Sequence, residues 1–259
     1  MSDARLLAVG EDAVSRVLAA YLKRCQTTLD WADAVSVGEL REAATAELAK
    51  RRYTWEQTEA WGLGLDDGTA RDGLDPEALR HCGLVDRDYP VMTNRLIFPI
   101  HDWLGGLVGF VGRRLVGDPV KVPKWVYPAD SPGFSRGNFV YNLHQAAETG
   151  RKRNFLILVE GANDVRTLEL AGVANTVQCL GTVFTRRQAS LLRRFVRRVV
   201  LLMDPDLAGR RASDRGRVLL EAAGLEVSVA QLEKWDPDET VRQVGVGPVL
   251  DAVRKALRG

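Results

Sequence analysis

The sequence predicts an α/β protein in which a Rossmann-like parallel sheet follows a mixed α+β segment. Two observations indicate the sheet. Apolar runs at residues 155–159 and 199–203 have the length of strands that are buried on both faces, and each run ends in carboxylates. Predicted strands and helices also alternate along this part of the chain, which is the order of a parallel sheet. A hairpin pattern at residues 95–112 indicates the α+β segment.

The N-terminal part of the chain predicts helices. Apolar and charged positions alternate over residues 13–22 and 37–48, which is typical of two amphipathic helices. Three aromatic residues that follow are spaced so that they can share a core face: Tyr53, Trp55 and Trp61. Packing is a more common role for aromatic residues at such spacing than base stacking.

A hairpin and an irregular loop come next. Residues 95–100 and 107–112 predict two strands, and the glycines between them permit a tight reversal. Three prolines predict an ordered but irregular loop over residues 120–138.

The C-terminal part predicts the elements of the sheet domain. The predicted strands are residues 155–160, 176–179, 198–203 and 225–230. The predicted helices are one that ends at residue 171 and those at residues 185–195, 208–223 and 248–257. Because a basic run at residues 151–153 marks a boundary, we predict three parts: a helical N-terminal extension at residues 1–45, an N-terminal subdomain at residues 46–150, and the sheet domain with a C-terminal helical end at residues 151–259.

Acidic residues follow two of the predicted strands. Because ligands collect at the carboxyl ends of parallel strands, we expect Glu160, Asp204 and Asp206 to lie close together. Three carboxylates at short range favour a bound cation, and an all-oxygen set suits Mg²⁺ or Mn²⁺ better than zinc. Pro205 restricts the backbone between the two aspartates, so that both can face one ion. Glu160 either completes the metal site or acts as a base.

Several motifs, taken in order, resemble the bacterial DnaG-type DNA primases. Glu160-Gly161-x-x-Asp164, Leu180-Gly181-Thr182 and Asp204-x-Asp206-x-x-Gly209 are similar to the Toprim domain of these primases. Further stretches are similar to their polymerase core: residues 95–100, 109–114, 123–124 and the acidic run 236–239. The resemblance covers residues 46–247, which is most of the chain.

The resemblance implies a DNA primase, an enzyme of DNA replication that makes short RNA primers. Its RNA polymerase core, with a Toprim domain, is a nucleotidyltransferase that uses single-stranded DNA, ribonucleoside triphosphates and Mg²⁺ or Mn²⁺. Divalent ions held by carboxylates activate the attacking hydroxyl and neutralise the leaving pyrophosphate. The catalytic residues it implies are Glu160, Asp204 and Asp206, and the predicted metal ligands are these three with Asp164, Asp236 and Asp238.

Other roles remain open for several of these residues. Asp164 is a ligand, a carboxylate behind the ligands, or an acid in the first turn of a helix. Asp236 and Asp238 are auxiliary metal ligands or acids at a helix start. The glycines of the motifs, Gly161, Gly181 and Gly209, and Thr182 are predicted at structural turns or beside phosphates.

The positive charges are unevenly distributed. The formal net charge is +2, but residues 151–230 carry fourteen Lys and Arg against eight Asp and Glu, which favours a polyphosphate partner. A solvated arginine-rich surface has the same composition. Within the motifs that resemble primases, we predict that Arg95, Arg113 and Lys124 bind nucleic acid or nucleotide, since Arg and Lys are suited to phosphate.

The three cysteines, Cys25, Cys82 and Cys179, have no paired spacing, so no zinc site is expected. Unpaired cysteines without a signal peptide or long apolar span favour a cytoplasmic protein with no membrane partner. A replicative helicase or a zinc-module protein is a further expected partner. Two alternative functions remain: a Toprim-type nuclease or phosphodiesterase, and a catalytically weak nucleic-acid-binding module of a replication complex.

Overall fold

A computed structural model describes residues 11–30, 38–117, 121–181 and 184–259. These residues form two compact units. The first takes in the described residues up to Ile100 together with Gly106–Ser135, and the second takes in His101–Gly105 and Arg136–Gly259.

The first unit is a mixed α+β fold, as the sequence predicts. Among the described residues its helices are α1 (Glu11–Leu29), α2 (Glu39–Lys50), α3 (Trp55–Ala60) and α4 (Pro76–His81). Its strands are β1 (Gly64–Asp66), β2 (Val85–Asp86), β3 (Tyr89–Pro90), β4 (Arg95–His101), β5 (Leu107–Arg114) and β6 (Trp125–Val126). Strands β1, β4, β5 and β6 form one sheet in that order, and β2 pairs with β3.

Helix α1 is longer than predicted and belongs to the core of the first unit. Val17, Leu18, Tyr21 and Cys25 lie on its buried face and share an apolar cluster with residues of β4 and β5. The helix packs closely on β1, because a Cβ at Gly64 would lie only 2.6 Å from the Cβ of Cys25. Glycine at that position therefore permits the contact.

The second unit contains the remaining elements in the described residues. They are a 3₁₀ turn (Arg136–Asn138), β7 (Val140–Tyr141), α5 (Leu143–Arg153), β8 (Phe155–Val159), α6 (Ala162–Leu170), β9 (Thr176–Cys179), α7 (Arg186–Arg193), β10 (Arg198–Leu201), α8 (Leu207–Ala222), β11 (Glu226–Val229), α9 (Pro237–Val244) and α10 (Gly247–Arg258). The strand order is β11-β10-β8-β9-β7. Pairs β11–β10, β10–β8 and β8–β9 are parallel, which confirms the predicted Rossmann-like sheet.

Among the described residues, five short strands lie where the sequence predicts none: β1, β2, β3, β6 and β7. Strand β7 pairs antiparallel with β9 at one edge of the sheet, and β6 pairs with β5 inside the predicted irregular loop. A strand of two residues is too short to show a periodic pattern, so its partner strand determines it. Since β7 and α5 pack into the second unit, the compact units divide at residue 135. The predicted domain limits at residues 45 and 150 stay a prediction.

The cysteines are packing residues in this fold. Cys25, Cys82 and Cys179 are free and buried, and burial raises the pKa of the Cys179 thiol to about 12. None of the described helices is both long and apolar enough to cross a membrane.

A buried hydrogen bond anchors α1 in the first unit. The Tyr21 hydroxyl donates to Asp66 Oδ2 at 2.6 Å, and the Gly68 N–H donates to Asp66 Oδ1 at 2.7 Å. Burial raises the pKa of Asp66, while the hydrogen bond from Tyr21 opposes that rise. The hydroxyl therefore stabilises the ionised carboxylate.

We predict that Tyr21→Phe lowers the free energy of unfolding by about 1.5–3 kcal/mol near pH 7, the usual range for a hydrogen bond to a charged group. The loss should be smaller near pH 4. Because the folded-state pKa of Asp66 is raised, its contribution to stability is present at low pH and falls as the pH rises through that pKa, and the variant raises the pKa further. Urea unfolding at both pH values measures the difference, and an equal loss at both would contradict the assignment.

Candidate active site

Glu160 and Asp204 meet at the carboxyl edge of the parallel sheet. Glu160 directly follows β8, and Asp204 follows the neighbouring strand β10. The Asp204 backbone N–H donates to Glu160 Oε1 at 3.0 Å. Gly209, in the first turn of α8, packs on both residues: a Cβ there would lie 2.2 Å from the Asp204 carbonyl oxygen and 2.7 Å from Glu160 Oε1. Only a glycine allows this approach.

Two other acids at this edge cap helices. Asp206 is the N-cap of α8, where its Oδ1 accepts the Gly209 N–H at 2.7 Å. Asp236 is the N-cap of α9 and accepts the Glu239 N–H at 2.6 Å. A capping carboxylate is oriented by the backbone and favoured by the helix dipole. The side chain of Asp206 is exposed, and that of Asp236 is half-buried.

The acids at this edge interact electrostatically. Burial raises the pKa of Glu160 most, the charges of Asp206 and Asp236 raise it further, and the hydrogen bond from the Asp204 N–H opposes the rise. Glu160 therefore holds a proton more readily than an exposed glutamate. A cation at this edge would relieve the repulsion.

Asp164 lies buried behind these acids, in the first turn of α6. Its Oδ2 accepts the Gly161 N–H at 2.9 Å, and its Oδ1 accepts the Asp238 N–H at 3.0 Å. Burial raises its pKa well above the ordinary value, and the charges of Asp236 and Asp204 add to the rise. These contacts join the start of α6 to the start of α9. They are consistent with two of the roles left open for Asp164: a carboxylate behind the ligands and an acid in the first turn of a helix.

Asp238 is buried in the first turn of α9 and contacts other protein groups through both carboxylate oxygens. The Thr167 hydroxyl donates to its Oδ1 at 2.6 Å, and Arg242 Nε donates to its Oδ2 at 3.2 Å. These contacts hold α9 against α6. The predicted role of Asp238 as an auxiliary metal ligand stays a prediction.

Gln178 is a residue of the site that sequence reasoning missed. It lies fully buried on β9, and its Nε2 donates to the Glu160 carbonyl oxygen at 3.0 Å. This bond ties the chain after β8 to the neighbouring strand. A glutamine inside an otherwise buried four-residue strand was the signal in the sequence, because a buried amide requires polar partners.

The donor chemistry of this edge fits Mg²⁺ or Mn²⁺. Glu160, Asp204 and Asp206 supply only carboxylate oxygens, which hard divalent ions prefer. Among the described residues, no three His, Cys, Asp or Glu side chains are grouped closely enough to form a complete metal cage. Mg²⁺ in phosphate-transfer sites is usually bound by one or two carboxylates together with substrate phosphates and water, so an open edge of this kind suits it.

The glycine-rich turn after β9 is partly described. Gly181 has a φ of +115°, a backbone conformation that favours glycine. Thr182, predicted beside it at a turn or a phosphate, lies outside the described residues. Gly161 is the N-cap residue of α6, with an ordinary extended backbone.

The basic residues predicted to bind nucleic acid lie in the first unit and differ in their surroundings. Arg95 is buried, and its Nη1 donates to the Pro123 carbonyl oxygen at 3.0 Å. Arg113 forms an ion pair with Glu47, and its guanidinium lies 5.1 Å from the centre of the Trp125 ring. Lys124 is exposed. The structure thus embeds both arginines in protein contacts and leaves the lysine at the surface.

A cavity of about 350 Å³ lies beside Arg95 in the first unit. Arg114 and Lys121 line it as well, so three cations share one concave surface. Burial lowers the pKa of Arg95, and the nearby Arg114 lowers it further. An anion in this cavity would relieve that repulsion.

Comparisons with known families divide the chain in the same order as its four-stranded and five-stranded sheets. The family model for the N-terminal domain of the DNA primase catalytic core matches residues 38–147. The family model for the Toprim domain matches residues 154–231. Together they match most of the chain.

Individual primases are similar over comparable lengths. A DNA primase of Halalkalibacterium halodurans is 35% identical over 219 residues, which are 79% of this chain and 36% of that protein. The crystal structure of the zinc-binding and RNA polymerase domains of the Aquifex aeolicus primase has a TM-score of 0.81 at 29% identity, and the match covers 99% of this chain and 64% of that one.

A structure of the DnaG primase catalytic domain bound to single-stranded DNA has a TM-score of 0.79 at 27% identity and covers 98% of this chain and 80% of that one. The chain spans about a third of the length of the curated relatives that it matches.

The packing of Gly209 leads to a prediction. We expect Gly209→Ala to destabilise the protein by about 1–3 kcal/mol, the usual cost of overpacking, because the new methyl group would meet the backbone of Asp204. The hydrogen bond between Asp204 and Glu160 would be displaced with it. Thermal unfolding measures the cost. Gly247→Ala is the matched control, because a Cβ at that position meets nothing within 4 Å. Equal stability of the two variants would contradict the close packing.

Proposed function

The chain belongs to the family of DnaG-type DNA primase catalytic cores, and on this premise we propose that it synthesises short RNA primers on single-stranded DNA. The proposed reaction is nucleotidyl transfer from ribonucleoside triphosphates, which makes the chain a DNA-directed RNA polymerase of primase type. The observation that carries the proposal is the contact of Glu160 with Asp204 at the edge of the parallel sheet, with two further acids in electrostatic range.

We assign the catalytic roles to three acids. Glu160, Asp204 and Asp206 would hold Mg²⁺ or Mn²⁺, with Asp236 nearby. When bound, such an ion neutralises the charge that develops on the attacking 3′ hydroxyl and on the leaving pyrophosphate. In the alternative role, in which Glu160 does not hold the ion, its raised pKa suits it to accept the proton of the hydroxyl, since a base works best when its pKa approaches the working pH.

The buried acids are proposed to position the catalytic ones. Asp164 accepts N–H groups from the starts of two segments, and Asp238 is held by Thr167 and Arg242. Their direct coordination of an ion stays a prediction.

Contacts to the template are proposed for the first unit. Lys124 is the exposed cation among the three predicted, so it is the one that we propose for direct phosphate contact. The bond of Arg95 to the Pro123 carbonyl oxygen supports a role in holding the chain beside the cavity of the first unit, and the ion pair of Arg113 with Glu47 supports a role in holding β5 against α2. We also propose cytoplasmic location and, as partners, a replicative helicase or a protein with a zinc module.

A Toprim-type nuclease or phosphodiesterase is the alternative that shares the acidic edge. The match of residues 38–147 to the N-terminal domain of the primase core favours synthesis, because hydrolysis does not require that domain. A ribonucleotide incorporation assay on single-stranded DNA with Mg²⁺ or Mn²⁺, run beside a cleavage assay on the same strand, separates the two. Binding with neither activity would favour a catalytically weak module.

We predict that Asp204→Asn and Asp206→Asn each reduce primer synthesis by at least about 100-fold, a conservative figure for the loss of charge stabilisation at a reacting centre. In metal-free buffer their thermal stability should equal or exceed that of the wild type, because repulsion among the acids is relieved. Asp251→Asn on α10, an exposed acid, is the control and should leave synthesis unchanged. Near-normal synthesis by both site variants would overturn the assignment.

A second prediction separates the basic residues of the first unit. Lys124→Ala should leave stability within about 0.5 kcal/mol of the wild type, as is usual for surface substitutions. In a plot of the logarithm of DNA affinity against the logarithm of salt concentration, the slope should become less steep by about 0.7, the value for one phosphate contact on a single strand. Lys255→Ala, on α10, is the control for loss of one positive charge.

Arg113→Ala should behave differently. It removes a partner from the largely buried carboxylate of Glu47, which keeps Arg51 at 2.6 Å, so the free energy of unfolding should fall by about 1–3 kcal/mol. Urea unfolding and DNA titration on the same preparations compare the two variants. Unchanged stability of Arg113→Ala would show that the ion pair is not structural.

A further inference from the structure

A second basic surface lies in the second unit, on helix α7. Arg187, Ser190, Leu191 and Arg194 recur at the three- and four-residue spacing that places side chains on one helix face. All four line a cavity of about 390 Å³. Both arginines are exposed. Within the described residues, neither forms an ion pair with a carboxylate.

The wall opposite this helix face is held in place by the start of α7. The Thr185 hydroxyl donates to the Gly137 carbonyl oxygen at 2.6 Å. Gln188 Nε2 donates to the carbonyl oxygens of Arg136 and Phe139 at 3.2 and 2.9 Å. The 3₁₀ turn and the residues after it are thus tied to the helix, so the cavity is formed before any ligand arrives.

An aromatic residue completes the surface. Trp103 lines the same cavity and is 38% exposed, which leaves part of its indole ring accessible. Arg194 lies over the ring at 4.9 Å from its centre, and the ring of Phe195 lies edge-on to it at 6.0 Å between ring centres. Asp102 is the one acid on the lining, and its Oδ1 accepts the Leu104 N–H at 2.8 Å.

We propose that this surface, defined as Trp103, Arg187 and Arg194, binds single-stranded DNA outside the acidic edge. The two guanidinium groups would contact successive phosphates, and one base would stack on the indole ring. Cations beside an exposed aromatic ring are the combination that binds single strands without sequence preference. The proposal rests on the proposed function, since single-stranded DNA is the template there.

The Trp103 ring favours nucleic acid over an acidic protein segment as the ligand of this surface. Arginines alone would serve both, because carboxylates and phosphates accept the same forked hydrogen bonds. An acidic segment gains nothing from an indole ring, whereas a base gains stacking energy from it. The basic character of this helix extends beyond the cavity, with Arg186 and Arg193 also exposed, and Arg197 after the helix is exposed as well.

The test is a titration of labelled oligodeoxythymidine with the full chain in metal-free buffer without nucleotides. The double variant Arg187→Gln/Arg194→Gln should make the salt dependence less steep by about 1.4, since each phosphate contact on a single strand contributes about 0.7. Trp103→Ala should weaken binding by at least about fivefold, the lower end of the range for one stacked base. Trp103→Phe should retain most of the affinity.

Two controls make the test specific. Lys255→Gln/Arg258→Gln removes the same charge from α10 and should leave the slope near that of the wild type. On a strand of abasic sites, which keeps the phosphates, Trp103→Ala and the wild type should bind equally. Weaker binding of the abasic strand by Trp103→Ala than by the wild type would contradict the stacking role of Trp103.

Unchanged slope and affinity in the surface variants would overturn the proposal, and so would selective binding of oligouridine or polyglutamate. Neither result bears on synthesis, because the titration contains no metal ion or nucleotide. Failure of the proposed function would appear instead as absence of incorporation by the wild-type chain, whatever the variants bind.

Discussion

The second unit depends on one buried carboxylate that two separate backbone segments share. Asp164 accepts two backbone N–H groups. One belongs to Gly161, directly after Glu160 in the chain, and the other to Asp238 at the start of α9. Its burial is costly, as its raised pKa records, and the two N–H donors offset part of that cost. The position of the edge that carries Glu160 and Asp236 is therefore set from behind, by a residue that contacts little solvent.

Backbone N–H groups also orient the acids at the carboxyl edge of the sheet. Glu160 accepts the Asp204 N–H, Asp206 accepts the Gly209 N–H, and Asp236 accepts the Glu239 N–H. Each of these three acids is thus oriented by a backbone donor. Helix dipoles at α8 and α9 reduce the repulsion among the acids without neutralising it. The remaining negative charge is what would attract a divalent ion.

The periodic elements were predictable from the sequence, and the contacts that orient the site were only partly so. Glu160 directly follows the apolar run that forms β8, and Asp204 directly follows the run that contains β10, so both acids could be placed at one edge. Strand β7 could not be found, because two residues carry no period. The sequence also cannot show that Arg113 pairs with Glu47, since that contact joins residues far apart in the chain.

Helix α6 explains why a residue in a matched motif can be structural. Every residue from Ala162 to Leu168 is buried. Two of the polar side chains bond to different parts of the second unit. Thr167 bonds to Asp238, whereas Arg166 donates to the Tyr141 hydroxyl at 3.0 Å and to Glu169 at 2.7 Å. The helix thereby connects the acidic edge with β7 at the border of the sheet. A charge within this helix is satisfied by fixed partners, so its substitution would disturb the site by moving the helix.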